Sequence, residues 1–122
     1  MNKLFVSYEI ALKLKEKGFN EGCFGFYGDD GKLYFDGFIE DGLNPVYSLA
    51  PLYQQVIDWL RDEKYINIET QYDFIAYDVI IHDYKNSNTK KLTSTLSGKT
   101  PYCFTDYYEA LNVAIEESLK LI

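Results

Sequence analysis

Arginine, histidine and cysteine are scarce in this 122-residue chain, and each scarcity removes a class of chemistry. Arg61 is the only arginine among 12 basic residues. The forked donor best suited to bidentate recognition of phosphate or guanine is therefore present once. His82 is the only histidine, so any mechanism that uses imidazole must use it. Cys23 and Cys103 lie far apart with no partner at zinc-ligand spacing, which predicts two free buried thiols in a reducing compartment. No segment approaches the ~20 apolar residues of a membrane-spanning helix. The apolar stretch between Lys3 and Glu9 is also too short for a secretory leader, so the expected location is cytoplasmic. No glycine-rich loop ends in Lys followed by Ser or Thr, and no motif calls for a cofactor or a metal.

Apolar and acidic residues, by contrast, are plentiful. With 47% hydrophobic and 17% aromatic residues the chain can offset its own ordering entropy, and its length predicts a single domain. The formal charge is −7, from 19 acids against 12 bases. It is patterned: residues 21–41 carry six acids and Lys32, residues 58–83 carry seven acids against Arg61 and Lys64, and residues 85–99 carry Lys85, Lys90, Lys91 and Lys99 without an acid. A field of this sign repels phosphate backbones and anionic lipid, which argues against nucleic acid and membrane as direct partners. Lys, Asn, Ile and Tyr are abundant while Arg is rare, as AT-rich coding produces, so the tyrosine content carries little functional weight.

Hydrophobic period places the elements. Residues 7–18 read as a helix capped by Ser7, with Ile10, Ala11 and Leu14 on one face and Gly18 as the stop. Residues 22–27 and 33–39 alternate around Gly28-Asp29-Asp30-Gly31 as a β-hairpin, and 42–45 reads as a loop. A second helix is expected from Ser48 or Ala50 to Lys64, with Pro51 in its first turn and Leu52, Val56, Trp59 and Leu60 as its stripe. Ile66–Glu69 and Ile75–His82 alternate as a second hairpin, with Gln71 to Asp73 in the reversal. Residues 85–100 are polar and predict a mobile loop holding a short edge strand near 91–96. A last helix runs from Asp106 to Leu121, with Tyr108, Leu111, Ile115 and Leu119 inward. Hairpins between helices, in the order αββαββ(β)α, predict an α+β fold with one antiparallel sheet of about four or five strands and three helices on one face.

Three helical stretches, Ala50-Pro-Leu-Tyr-Gln-Gln-Val-Ile-Asp-Trp-Leu-Arg-Asp-Glu-Lys64, the ending from Tyr107 to Ile122, and Ser7 to Phe19, resemble a family of small uncharacterised proteins encoded by gut bacteria, their bacteriophages and mobile elements. The resemblance implies an origin as phage or mobile-element cargo. It carries no catalytic residue, because no activity is attached to that family.

Asp78 precedes His82 by four positions on one predicted strand, about 13 Å away by strand rise, so a partner for His82 must be Asp83 or a carboxylate on a neighbouring strand. Asp29 to Glu40 has the length of a calcium loop, but Gly31 and Leu33 occupy ligand positions and Tyr34 stands where the turn requires glycine. Gly22-Cys-Phe-Gly-Phe-Tyr27 echoes the aromatic strand of RNA-recognition domains, with Glu21 and Cys23 in the wrong places; core aromatics on a strand are the expected reading.

Two function classes follow. The first is a non-enzymatic accessory protein that binds a host or phage protein through Asp29, Asp30, Asp36, Glu40 and Asp41, as an inhibitor or nucleic-acid mimic would. The second is a small-molecule or nucleotide-binding, possibly hydrolytic, domain with a pocket near residues 85–99. A homodimer through a sheet edge is compatible with both.

Overall fold

The computed structural model describes residues 2–34, 37–39, 47–72, 76–92, 104 and 106–122. The chain forms two compact units, Met1–Val56 and Ile57–Ile122.

The first unit opens with helix α1, Tyr8–Glu16, whose Ser7 hydroxyl accepts from the Ile10 amide at 3.3 Å. Ile10, Ala11 and Leu14 are buried as the period requires. Gly18, at φ +92°, closes the last turn, and the Phe19 amide reaches back to the Leu14 carbonyl at 3.0 Å while the ring is buried. Strands β1, Gly25–Tyr27, and β2, Leu33–Tyr34, form the expected hairpin. Gly31, at φ +75°, supplies the reversal and donates to the Gly28 carbonyl at 3.0 Å. The loop expected at 42–45 lies outside the described residues.

Strand β3, Ser48–Ala50, occupies residues expected to begin a helix. It pairs antiparallel with the free side of β1, giving the order β2-β1-β3. Two forces decide this. The residue before a proline is disfavoured in the helical region, which extends Ala50 ahead of Pro51, and β1 offers a row of backbone groups that need partners. The Pro51 carbonyl accepts from the Val6 amide at 3.0 Å, so Pro51 stands before the helix that follows. That helix, α2, runs over Tyr53–Lys64, with Val56, Trp59 and Leu60 buried.

A second departure concerns β1. Phe24 and Phe26 were expected in the core, yet Phe24 is 60% exposed, while Cys23 and Tyr27 are buried. Gly25 fits the inversion: a Cβ there would sit 3.0 Å from the Phe5 ring, a tight approach that favours glycine at this inward position. With period two, the small residues turn in and the phenylalanines turn out.

In the second unit, β4 (Ile66–Tyr72), β5 (Tyr77–Asp83) and β6 (Asn88–Leu92) form an antiparallel meander. Its register sets Ile68 beside Ile81 and Ile81 beside Lys90. An edge strand is present as β6, which begins earlier than the expected 91–96 and shares only Lys91 and Leu92 with it; residues 93–103 lie outside the described set. Helix α3, Tyr107–Leu119, is capped by Asp106, whose carboxylate accepts from the Tyr108 amide at 2.8 Å. Its Leu111, Ile115 and Leu119 are buried, and it packs on β5 and β4. The fold is thus α+β with three helices and two three-stranded antiparallel sheets, where one sheet was expected. Each hairpin acquires its own third strand, β3 beside β1 and β6 beside β5, which satisfies both sides of each central strand.

Ile115 is fully buried on α3. Ile115→Ala should lower the unfolding free energy by about 2–5 kcal/mol, read as a lower urea midpoint at unchanged slope. An unchanged midpoint would remove α3 from the core.

Candidate functional site

Of the five acids expected to form a partner surface, the structure places two. Asp29 and Asp30 are exposed on the β1–β2 turn; Asp36, Glu40 and Asp41 lie outside the described residues. Asp30 is committed locally. Its carboxylate accepts from the Tyr34 hydroxyl at 2.7 Å and from the Lys32 amide at 3.0 Å. These bonds hold the Asp30 carboxyl below the usual range and push the Tyr34 phenol up. The Asp29 carboxylate has no hydrogen-bond partner among the described residues.

The outer face of the first sheet carries Phe24 and Phe26, which the sequence places in the core, together with further aromatic residues. Phe24 and Phe38 meet edge to face at 5.1 Å. Phe26 stacks on Tyr34 at 5.4 Å and touches Tyr47 at 5.2 Å. Phe24, Phe38 and Tyr34 are 60%, 53% and 38% exposed. The Phe38 ring lies over Gly22, where any Cβ would collide with it. Large exposed apolar residues grouped on one face are a mark of an interaction surface. The alternation of Cys23, Phe24, Gly25 and Phe26 was visible in the sequence; which parity faced inward was not.

A recess adjoins this face. Tyr8, Leu12, Lys15, Tyr27, Asp29 and Tyr47 line a cavity of about 160 Å3. Tyr8 and Tyr27 are 5.4 Å apart at 57°. The Tyr27 hydroxyl donates to the Val6 carbonyl, and Lys15 Nζ donates to the Tyr47 carbonyl at 2.8 Å.

In the second unit several charges are matched where they stand. Arg61 pairs with Asp58 at 3.2 Å and Asp62 at 3.0 Å. His82 Nε2 lies 3.1 Å from Glu69 Oε2, so its partner is a carboxylate on the neighbouring strand, and its ring stacks on Tyr84 at 5.8 Å. Asp83 points to the opposite face, buried, and accepts from the Asn86 side chain at 2.8 Å. Lys90, one of the four lysines of the cationic segment, is bound to Glu117 at 2.8 Å, and Glu117 also holds Lys120 at 3.0 Å. These bonds lower the Glu117 carboxyl. Lys64, Tyr65, Ile66, Lys85 and Asn86 line a second cavity of about 330 Å3. Gly98-Lys99-Thr100 matches the end of a phosphate-binding loop but has Thr93 where that loop begins with glycine, and it falls outside the described residues.

Cys23 is buried, and desolvation pushes its thiol up to about 12, which leaves it inert as a nucleophile. Among the described residues, no group of three or more His, Cys, Asp or Glu could hold a metal ion, and no helix is long and apolar enough to cross a membrane. No family model, curated protein or solved structure matches this chain.

The hydrogen bond from His82, with a second from Gln71, holds the Glu69 carboxyl below its ordinary value. A carboxyl lowered by folding contributes stability above its unfolded value and loses it as pH falls through the folded one. In a carboxyl-carbon NMR titration, Glu69 should titrate below the usual glutamate range, and His82→Gln should move the midpoint upward. An unmoved midpoint would show that the pair does not form.

Proposed function

We propose that the chain is a non-enzymatic accessory protein of phage or mobile-element origin that docks a basic segment of a protein partner on the outer face of its first unit. The origin rests on the resemblance of the helices. The docking reading is carried by one observation, the outward Phe24–Phe38 pair, whose residues are more than half exposed on the hairpin that carries the acidic turn. Exposed aromatic side chains dominate binding energy at protein interfaces because each buries a large area at small entropic cost. Acids beside them repel phosphate and favour a cationic partner, adding steering and specificity more than affinity. The acids at 58–83 are weaker candidates, since Asp58, Asp62, Glu69 and Asp83 already have partners within the second unit.

The test compares capture from bacterial lysate by the wild type, the Phe24→Ser/Phe38→Ser double variant and the Asp29→Asn/Asp30→Asn double variant, followed by reconstitution with the purified partner. The expected partner carries a basic segment, binds about tenfold or more weakly to the phenylalanine variant, and is released by salt. Equal binding by wild type and phenylalanine variant would sink the reading.

A second reading is favoured by a separate observation, the 330 Å3 cavity of the second unit, at the lower end of the ~300–1,000 Å3 of small-molecule sites. Tyr65, one of its lining residues, is a non-glycine residue at φ +57° with a 61% exposed side chain. Such backbone strain persists where the surrounding structure holds it and recurs at ligand sites. Lys64 and Lys85 line this cavity together with Glu63 and Asp83, a mixed set in which the two lysines would meet the anionic group of a nucleotide or other metabolite. A metabolite panel should then contain a compound that raises the melting temperature of the wild type, with the rise lost in Lys64→Ala/Lys85→Ala. A flat panel would remove this reading.

A further inference from the structure

The recess between α1, the β1–β2 turn and β3 is too small for a cofactor. At about 160 Å3 it lies well below the ~300–1,000 Å3 of small-molecule sites and suits a single long side chain. Three of its lining residues are tyrosines, and two of these, Tyr8 and Tyr27, are tilted against each other at 5.4 Å. The Tyr27 hydroxyl is spent on the Val6 carbonyl, so this residue offers ring rather than polar atom.

The charges facing the recess can be counted. From α1, Lys15 lines the recess, and its ammonium is spent on the Tyr47 carbonyl at 2.8 Å. Glu9, in the first turn of α1, acts electrostatically on Tyr27. From the turn, Asp30 is taken by Tyr34 and the Lys32 amide, which leaves the Asp29 carboxylate at the recess without a hydrogen-bond partner among the described residues. Aromatic faces beside an open carboxylate attract a cation twice over, through the ring quadrupole and through the ion pair. Guanidinium suits this setting better than ammonium: it is planar, weakly hydrated, stacks on rings and can bind a carboxylate in bidentate fashion.

We infer that this recess is a socket for one arginine side chain of the protein partner, an inference that rests on the docking function proposed for the adjoining face. Tyr47 joins the two, because it lines the recess and also touches Phe26 on the outer face. An arginine seated there belongs to a chain whose neighbouring residues cross the exposed aromatic rings.

The experiment is an amide NMR titration of the full chain with three probes: the blocked tripeptide acetyl-Gly-Arg-Gly-amide, its citrulline counterpart, and free L-arginine. The arginine tripeptide should shift the amides of Tyr8, Gly28, Asp29 and Tyr47 with a Kd on the order of 1 mM. Citrulline, which keeps the shape and loses the charge, should bind about tenfold or more weakly, and Asp29→Asn should weaken the arginine tripeptide by a similar factor. Phe24→Ser/Phe38→Ser should leave this titration unchanged. Absence of shifts, equal binding of citrulline, or tighter binding of free arginine than of the blocked tripeptide would overturn the socket. Overturned in this way while capture of the partner still depends on Phe24 and Phe38, the socket fails and the docking surface stands. If capture is independent of those two residues, the docking surface fails and the assignment to a partner's arginine falls with it, whatever the tripeptide does.

Discussion

The close approach of Phe5 to Gly25 governs the first unit. A Cβ at Gly25 would stand 3.0 Å from that ring, tighter than ordinary contact, so the parity that turns the glycine inward is favoured. Cys23 and Tyr27 turn inward with Gly25, and Phe24 and Phe26 turn outward, as the two-residue period demands. Everything that makes this face a candidate site follows from that parity: Phe24 against Phe38, Phe26 between Tyr34 and Tyr47, and Tyr34 reaching Asp30 with its hydroxyl. Tyr27, buried by the same parity, brings its ring to Tyr8 and so forms part of the recess. One slip of register would reverse every one of these placements.

Electrostatics narrow the site further. The net charge of −7 suggests broad acidic surfaces, but several of the acids are already engaged by neighbouring groups. Arg61 serves two acids, His82 serves Glu69, and Asp83 is buried on Asn86. The cationic stretch is reduced in the same way, since Lys90 is held by Glu117. Exposed pairs of this kind contribute little stability, yet they change what a partner would meet. Asp29 lines the recess beside tyrosine rings with no hydrogen-bond partner for its carboxylate among the described residues, and surroundings of that kind give a single charge its specificity.

Legibility divided along the range of the interactions involved. The Ser7 and Asp106 caps, the Gly18 stop, the Gly28–Gly31 reversal and the inward stripes of α1 and α3 were readable, because each is decided by residues within about one or two turns of chain. The site was readable only in part. Asp29 and Asp30 could be named as acids on a hairpin tip, whereas Phe24, Phe38, Tyr8 and Tyr47 were missed as contributors. Composition treats aromatic residues on a strand as core, and most are.

By itself, then, the sequence determined the α+β class, the three helices and the two hairpins, all of them products of local propensity and period. Only the tertiary structure decided that Ser48–Ala50 would be a strand beside β1, that His82 would find Glu69, and that β1 would turn its phenylalanines outward. Each of these depends on backbone or side chains brought together from distant points of the chain. A period of two states that alternate residues share a face; which face is buried is set by the volume waiting on each side, here the Phe5 ring against Gly25.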